Sequence, residues 1–221
     1  MSDDAERLVT EYEWTGPARP MTHAVLLAHG AGSDMHAPVL RRVAAALAAA
    51  KVPSLRFNHR YRTLGRKAPD SKAVLAASTD EAIAELRRRS GLPPERLVLG
   101  GRSMGGRLCL EWAGAHGPRA CAGLPMLGYP LHPAGKPHLR RDEAFASVDA
   151  PVLFVSGTRD ALAPRGEFEL SARAIKAPVT FHWLESADHG YRPLKSSGRT
   201  IDDVHAEAAD AVVEWVRALP S

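Results

Sequence analysis

The stretch Leu97-Val98-Leu99-Gly100-Gly101-Arg102-Ser103-Met104-Gly105-Gly106 constrains this chain more than any other. An apolar strand pattern runs through G-x-S-x-G straight into a helical pattern that continues to Gly114. A strand that becomes a helix through one residue brings the two backbones so close that flanking side chains would collide. Gly101 and Gly105 answer that demand. Ser103 at the apex is forced into strained dihedrals, and its hydroxyl is lifted above the end of the strand. The bare pentapeptide is weak evidence. With a strand before it and a helix after it, the pattern reads as a nucleophile elbow rather than a glycine-rich turn with an inert serine.

The elbow sits inside a regular alternation. Ala24 to Ala28 is a short, continuous apolar run ending at Gly30, the pattern of a strand buried on both faces. Val39, Leu40, Val43, Leu47 and Ala48 then recur at helical steps, with Arg41 and Arg42 on the other side. Pro53 to Phe57 reads as a strand, and Lys72 to Arg89 as a helix turning Leu75, Ile83 and Leu86 inward. Strand Arg96 to Gly100, helix Met104 to Gly114, and strands Ala120 to Leu127 and Pro151 to Ser156 follow. A helix near Glu167 to Ile175, strand Val179 to Glu185 and an amphipathic helix from Ile201 to Leu219 close the series.

Such alternation predicts an α/β fold with a mostly parallel twisted sheet and helices on both faces. With no linker in its 221 residues, the chain is expected to form one domain, residues 1–20 being its least defined part. Gly128 to Ala150, with Pro130, Pro133 and Pro137, joins two strands without a clear helix. It is too short for a lid domain, and long loops of this kind commonly build the active edge of a sheet.

A serine hydroxyl needs a base, and the base needs an acid to hold its tautomer. After an elbow of this type the acid precedes the base in the chain. Asp160 emerges just past the strand Pro151 to Ser156, and His189 lies in the loop after the strand Val179 to Glu185, both on the edge that carries Ser103. Among the rivals, His182 sits within a strand, His205 on the last helix, and His132 and His138 ahead of the acid. Asp188 adjoins His189 in sequence and would rarely face its ring nitrogen. The amides of Met104 and of Ala31, in His29-Gly30-Ala31-Gly32, are the expected oxyanion donors.

Other chemistries lack their residues. Gly30-Ala31-Gly32 begins like a dinucleotide loop, but Met35 stands where the third glycine belongs, and no acid ends the second strand. No phosphate loop, H-E-x-x-H or paired C-x-x-C occurs, so neither cofactor nor metal is expected. The net charge of +4 and pI near 9.3 come from scattered cations, without a recognisable nucleic-acid motif, and no nucleic-acid partner is expected. His59, Arg60 and Arg102 border strand ends, and Lys136, His138, Arg140 and Arg141 lie in the long loop. They read either as a cleft for anionic substrates or as solvated side chains.

No apolar run approaches the roughly 20 residues of a membrane span. The acidic start Met1 to Glu6 has no features of a secretory signal, so a cytoplasmic location is expected. Cys109 and Cys121 read as buried thiols.

Taken together, Leu27-Ala28-His29-Gly30-Ala31-Gly32, Phe57-Asn58-His59-Arg60-Tyr61, the elbow, Leu127-Gly128-Tyr129-Pro130-Leu131-His132 and Asp188-His189 resemble the α/β-hydrolase superfamily in its lidless, dienelactone-hydrolase-like branch. They are also similar to small testis-expressed hydrolase-like proteins and to the hydrolase-like subunit of the NSL chromatin complex. The resemblance implies an eight-stranded type of sheet shortened at its start, and triad roles for Ser103, Asp160 and His189. Dienelactone hydrolases carry cysteine where this chain has Ser103, so their substrate does not transfer. Substrate contacts are expected at His59, Arg60, Arg102 and Tyr129. The activity expected is hydrolysis of a small ester or thioester, the alternative being an interaction module that retains the fold.

Overall fold

The structure, a computed structural model, describes residues 8–9, 11–20 and 22–220. The acidic start Met1 to Glu6 lies outside the described residues. Among the described residues seven strands form one sheet: β1 (Tyr12–Thr15), β2 (Ala24–Ala28), β3 (Ser54–Phe57), β4 (Leu97–Arg102), β5 (Leu124–Leu127), β6 (Val152–Gly157) and β7 (Val179–Leu184). Their spatial order is β1-β3-β2-β4-β5-β6-β7, parallel throughout except for β1, which runs antiparallel to β3. The α-helices of the described residues are α1 (Pro38–Ala49), α2 (Arg60–Thr63), α3 (Lys72–Ser90), α4 (Met104–His116), α5 (Arg165–Ala172) and α6 (Ile201–Arg217).

Alternate side chains of each central strand enter opposite layers, which is why these strands are apolar throughout. Ala24, Leu26 and Ala28 of β2, Leu97 and Leu99 of β4, and Val152 and Phe154 of β6 pack with α3, α4 and α5. Val25 and Leu27, Val98, and Leu153 and Val155 pack on the other face with α1 and α6. Leu75, Ile83 and Leu86 of α3 are buried as the helical period predicts, and Gly91 in the left-handed conformation ends that helix. At the start of α6, Thr200 and Asp203 form a reciprocal capping box.

Three local expectations change. β1 was not foreseen, nor was the single turn of α2. The strand expected over Ala120 to Leu127 begins only at Leu124, with one isolated bridge from Gly123 to Val98 before it. The long connection after β5 contains one short 3-10 turn, Phe145–Ser147, and no lid. Among the described residues no helix is long and apolar enough to cross a membrane.

The chain leaves β2 toward β3 on one side and returns as β4 on the other. The carboxyl ends of β2 and β4 therefore flank a switch point, the place where open α/β sheets form their clefts.

Candidate active site

Ser103 stands between β4 and α4 with φ +50° and ψ −112°, outside the regions open to ordinary residues. Packing imposes the conformation. A Cβ on Gly101 would lie 2.2 Å from the Ala28 carbonyl oxygen, and one on Gly105 would lie 2.5 Å from the same atom, so β4 and α4 press directly on the end of β2. The Ser103 amide donates to the Leu127 carbonyl at 2.9 Å, tying the apex to β5.

The loops after β6 and β7 reach the same edge. Ser103 Oγ lies 3.1 Å from Nε2 of His189, and His189 Nδ1 lies 2.8 Å from Oδ2 of Asp160. The Asp160 side chain is fully buried while the His189 side chain keeps 26% of its exposure, so the acid is shielded and the imidazole can meet solvent or substrate. The other Asp160 oxygen accepts the Leu162 amide at 2.8 Å, which fixes the carboxylate. With Nδ1–H donating to Asp160, Nε2 is left to accept from the serine hydroxyl.

These two loops are laced together. Arg159 donates its amide to the Ala187 carbonyl and Ser186 donates to Thr158 Oγ1, both at 2.9 Å. A Cβ on Gly157 would lie 2.2 Å from the Ala187 oxygen, so only glycine admits the approach. Asp188, the rival acid, instead accepts the Arg192 amide within its own turn. His182 pairs with Glu207 and His205 is buried on α6. His132 is also buried, whereas His138 is exposed.

The loop after β2 passes over the elbow, where a Cβ on Gly30 would meet the Arg102 carbonyl at 3.4 Å and the Ser103 Cβ at 3.6 Å. His29 holds this loop: Nδ1–H donates to the Gly30 carbonyl at 2.9 Å, and Nε2 accepts the His59 amide at 3.1 Å. Burial lowers the His29 pKa, which favours the neutral ring that this pairing needs. The Ala31 amide makes no hydrogen bond among the described residues, and Met104 opens α4, where its amide has no intrahelical acceptor. Both border the cavity that holds Ser103.

That cavity measures about 330 Å³ and is lined by Ala31, Pro69, Lys72, Leu75, Ser103, Met104, Arg107, Leu108 and Arg141. Its size is at the lower end of the roughly 300–1,000 Å³ of small-molecule sites. Two larger clefts, of about 780 and 520 Å³, run beside Trp112 between α3 and α4, and neither contains Ser103, Asp160 or His189. Among the described residues no group of three or more His, Cys, Asp or Glu is placed to hold a metal ion.

The expected substrate contacts stand elsewhere. His59 is fully buried behind the site, ring to ring with His29 and Phe57, and burial and His29 push its pKa down to about 3. Arg60 opens α2 outside the cavity lining. Arg102 turns under the elbow, donating to the Leu127, Gly128 and His189 carbonyls, with its guanidinium 4.7 Å from the Tyr191 ring centre. It is a tether for the histidine loop. Tyr129 is buried against Phe145, Phe154 and Phe168, and its hydroxyl donates to the Arg141 carbonyl. Of the loop cations, only Arg141 lines the cavity; Arg140 is engaged with Asp142, Glu167 and Ser171.

Sequence reasoning overlooked Lys72, Arg107 and the bracing role of His29. Arg107 had a visible signal, lying one helical turn from Ser103. Lys72 had none, since only the packing of α3 on α4 brings it to the cavity lining.

The Escherichia coli K12 protein YfhR is 35% identical over 106 residues, covering 45% of this chain and 34% of that protein, so the match spans about a third of the relative's length. The solved structure of an alpha-beta serine hydrolase homologue from Coxiella burnetii superposes with a TM-score of 0.73 at 17% identity, covering 95% of this chain and 96% of that one. Dienelactone hydrolase from Anabaena variabilis superposes with a TM-score of 0.69 at 20% identity, covering 96% and 94%. At these identities the likeness to the two structures is one of fold. A family model described as an alpha/beta hydrolase domain matches residues 21–217, and the chain belongs to that family.

Proposed function

We propose that this protein is a serine hydrolase acting on a small carboxylic ester or thioester through an acyl-enzyme. The observation that carries the reading is the continuous hydrogen-bonded chain from Ser103 through His189 to the buried Asp160. Ser103 Oγ attacks the carbonyl carbon while Nε2 of His189 takes its proton, and Asp160 stabilises the imidazolium. The Ala31 and Met104 amides receive the oxyanion; one such donor is typically worth about 2.7 to 4 kcal/mol of barrier. The imidazolium returns its proton to the departing alkoxide or thiolate. Water, deprotonated by the same ring, then attacks the acyl carbon, releasing the acid and restoring Ser103.

The solved relatives described as a serine hydrolase homologue and a dienelactone hydrolase support the reaction class. We place the activity in the cytoplasm, a setting in keeping with two free, buried cysteines. A fluorophosphonate probe should label the native protein at Ser103. Ser103→Ala should abolish labelling and lower kcat by roughly four to six powers of ten. Absence of labelling in native protein, with capture of a stable partner, would instead favour the alternative, an interaction module that retains the fold.

A further inference from the structure

The cavity beside Ser103 is lined by both apolar and cationic side chains. Leu75, Met104 and Leu108 are the apolar ones, and Lys72, Arg107 and Arg141 the cationic ones. One carboxylate, Glu111, serves two of these cations: it pairs with Arg107 at 2.5 Å and stands 4.0 Å from Lys72. Arg141 is different. Among the described residues its half-buried guanidinium has neither a hydrogen bond nor an ion pair.

Its backbone, by contrast, is held at both polar groups. The Arg141 amide donates to the Leu131 carbonyl at 2.9 Å, and its carbonyl accepts the hydroxyl of the buried Tyr129. A long loop is thus clamped so that one arginine lines the cavity of the reacting serine with its five donors unspent. An unpaired guanidinium in a partly buried place is unfavourable unless something answers it. Burial and the neighbouring Arg107 both lower the Arg141 pKa, while Glu111 and Glu143 act on it only from a distance too great to pair. An anion would answer it, and a planar fork matches a carboxylate.

We propose that the substrate is an ester bearing a carboxylate a few bonds from its reacting carbonyl, and that Arg141, with Arg107 beside it, binds that carboxylate. This rests on the hydrolase reading above and narrows it to half-esters of short dicarboxylic acids or esters of short hydroxy acids. The short span follows from the cavity volume of about 330 Å³. Its apolar lining residues Leu75, Met104 and Leu108 take the carbon chain between the two ends.

Proton release would be followed for two matched pairs: monoethyl glutarate against ethyl pentanoate, and carboxymethyl butanoate against propyl butanoate. The first pair carries the charge on the acyl side, the second on the alcohol side. In wild type, kcat/KM should favour the charged member of one pair by at least about tenfold, and Arg141→Met should lower that ratio by about 30-fold, with Arg141→Lys in between. A wild-type ratio at or below one in both pairs, or a ratio unmoved by Arg141→Met, overturns the proposal. Calorimetry of glutarate binding separates it from the catalytic reading, because it is measured on Ser103→Ala, which needs no turnover. Binding that weakens at least tenfold in Ser103→Ala/Arg141→Met upholds the carboxylate site even if no ester is cleaved. Absence of binding to Ser103→Ala rejects the site even if neutral esters are hydrolysed.

Discussion

Replacing His59 should make folding stability less sensitive to acid. The ring is fully buried, neither nitrogen has a hydrogen-bond partner among the described residues, and its centre lies 4.9 Å from the His29 ring and 4.8 Å from Phe57. Burial, with a smaller contribution from His29, lowers its pKa from 6.5 to about 3 in the folded protein. Above about pH 6.5 the ring is neutral in both states and the folded protein keeps its full stability. As pH falls below that value, the unfolded chain takes up a proton that the folded one refuses. Stability is then lost down to about pH 3, at about 1.4 kcal/mol per pH unit in the middle of the window. Between pH 7 and pH 5 this single ring costs about 2 kcal/mol. Urea unfolding at both pH values would measure it, with His59→Phe keeping the ring contacts and removing the titration. The buried His29, whose pKa is also lowered, acts with the same sign in both proteins. The wild type should therefore lose about 2 kcal/mol more than the variant. Equal losses would refute the argument.

Three further outcomes follow from other contacts. Gly101→Ala would push a Cβ to 2.2 Å from the Ala28 oxygen and 2.8 Å from its nitrogen, both backbone atoms of a central strand. A loss of about 3 kcal/mol, or roughly 6 to 12 °C in Tm, is expected, and an unchanged melting curve would contradict it. Arg102→Met removes the donors that tie the His189 loop to the end of β5, so kcat should fall about 10- to 100-fold with little change in KM. Arg102→Lys should recover little, since one ammonium cannot span three carbonyls; full recovery would show that charge alone suffices. The Cys121 thiol is pushed up to about 12 by burial and that of Cys109 higher still, so native protein should resist iodoacetamide at pH 8, while unfolded protein takes up two equivalents.

The core of this fold was legible because strands buried on both faces must be apolar at every position, and those runs stand out between amphipathic helices. β1 escaped notice because it is an edge strand with a mixed pattern. Tyr12 and Trp14 pack on the core, while Glu13 sits opposite Arg56 of β3 and pairs with its buried guanidinium. Neither charged residue marks a strand until the two are side by side. The first residues of the stretch before β5 were apolar enough to read as strand, but only Leu124 to Leu127 pair with β6.

For the site, chain order was sufficient to bring Ser103, Asp160 and His189 to one place, because parallel strands deliver their following loops to a single edge. The tight elbow was equally readable, since glycine is the only residue that tolerates such approaches as Gly101 and Gly105 make to β2. Side-chain direction beyond a strand end was not readable, because the two-residue alternation stops where the strand stops. His59, Arg102 and Tyr129 were expected to touch substrate and instead brace the site from behind, while Lys72 and Arg107 reach the cavity from helices. Sequence determined the elbow, the alternating layers and the order of the polar residues, all local or topological properties. Tertiary packing alone decided which cations line the cavity at Ser103, because α3, α4 and the loop holding Arg141 become neighbours only when their apolar faces close on the sheet.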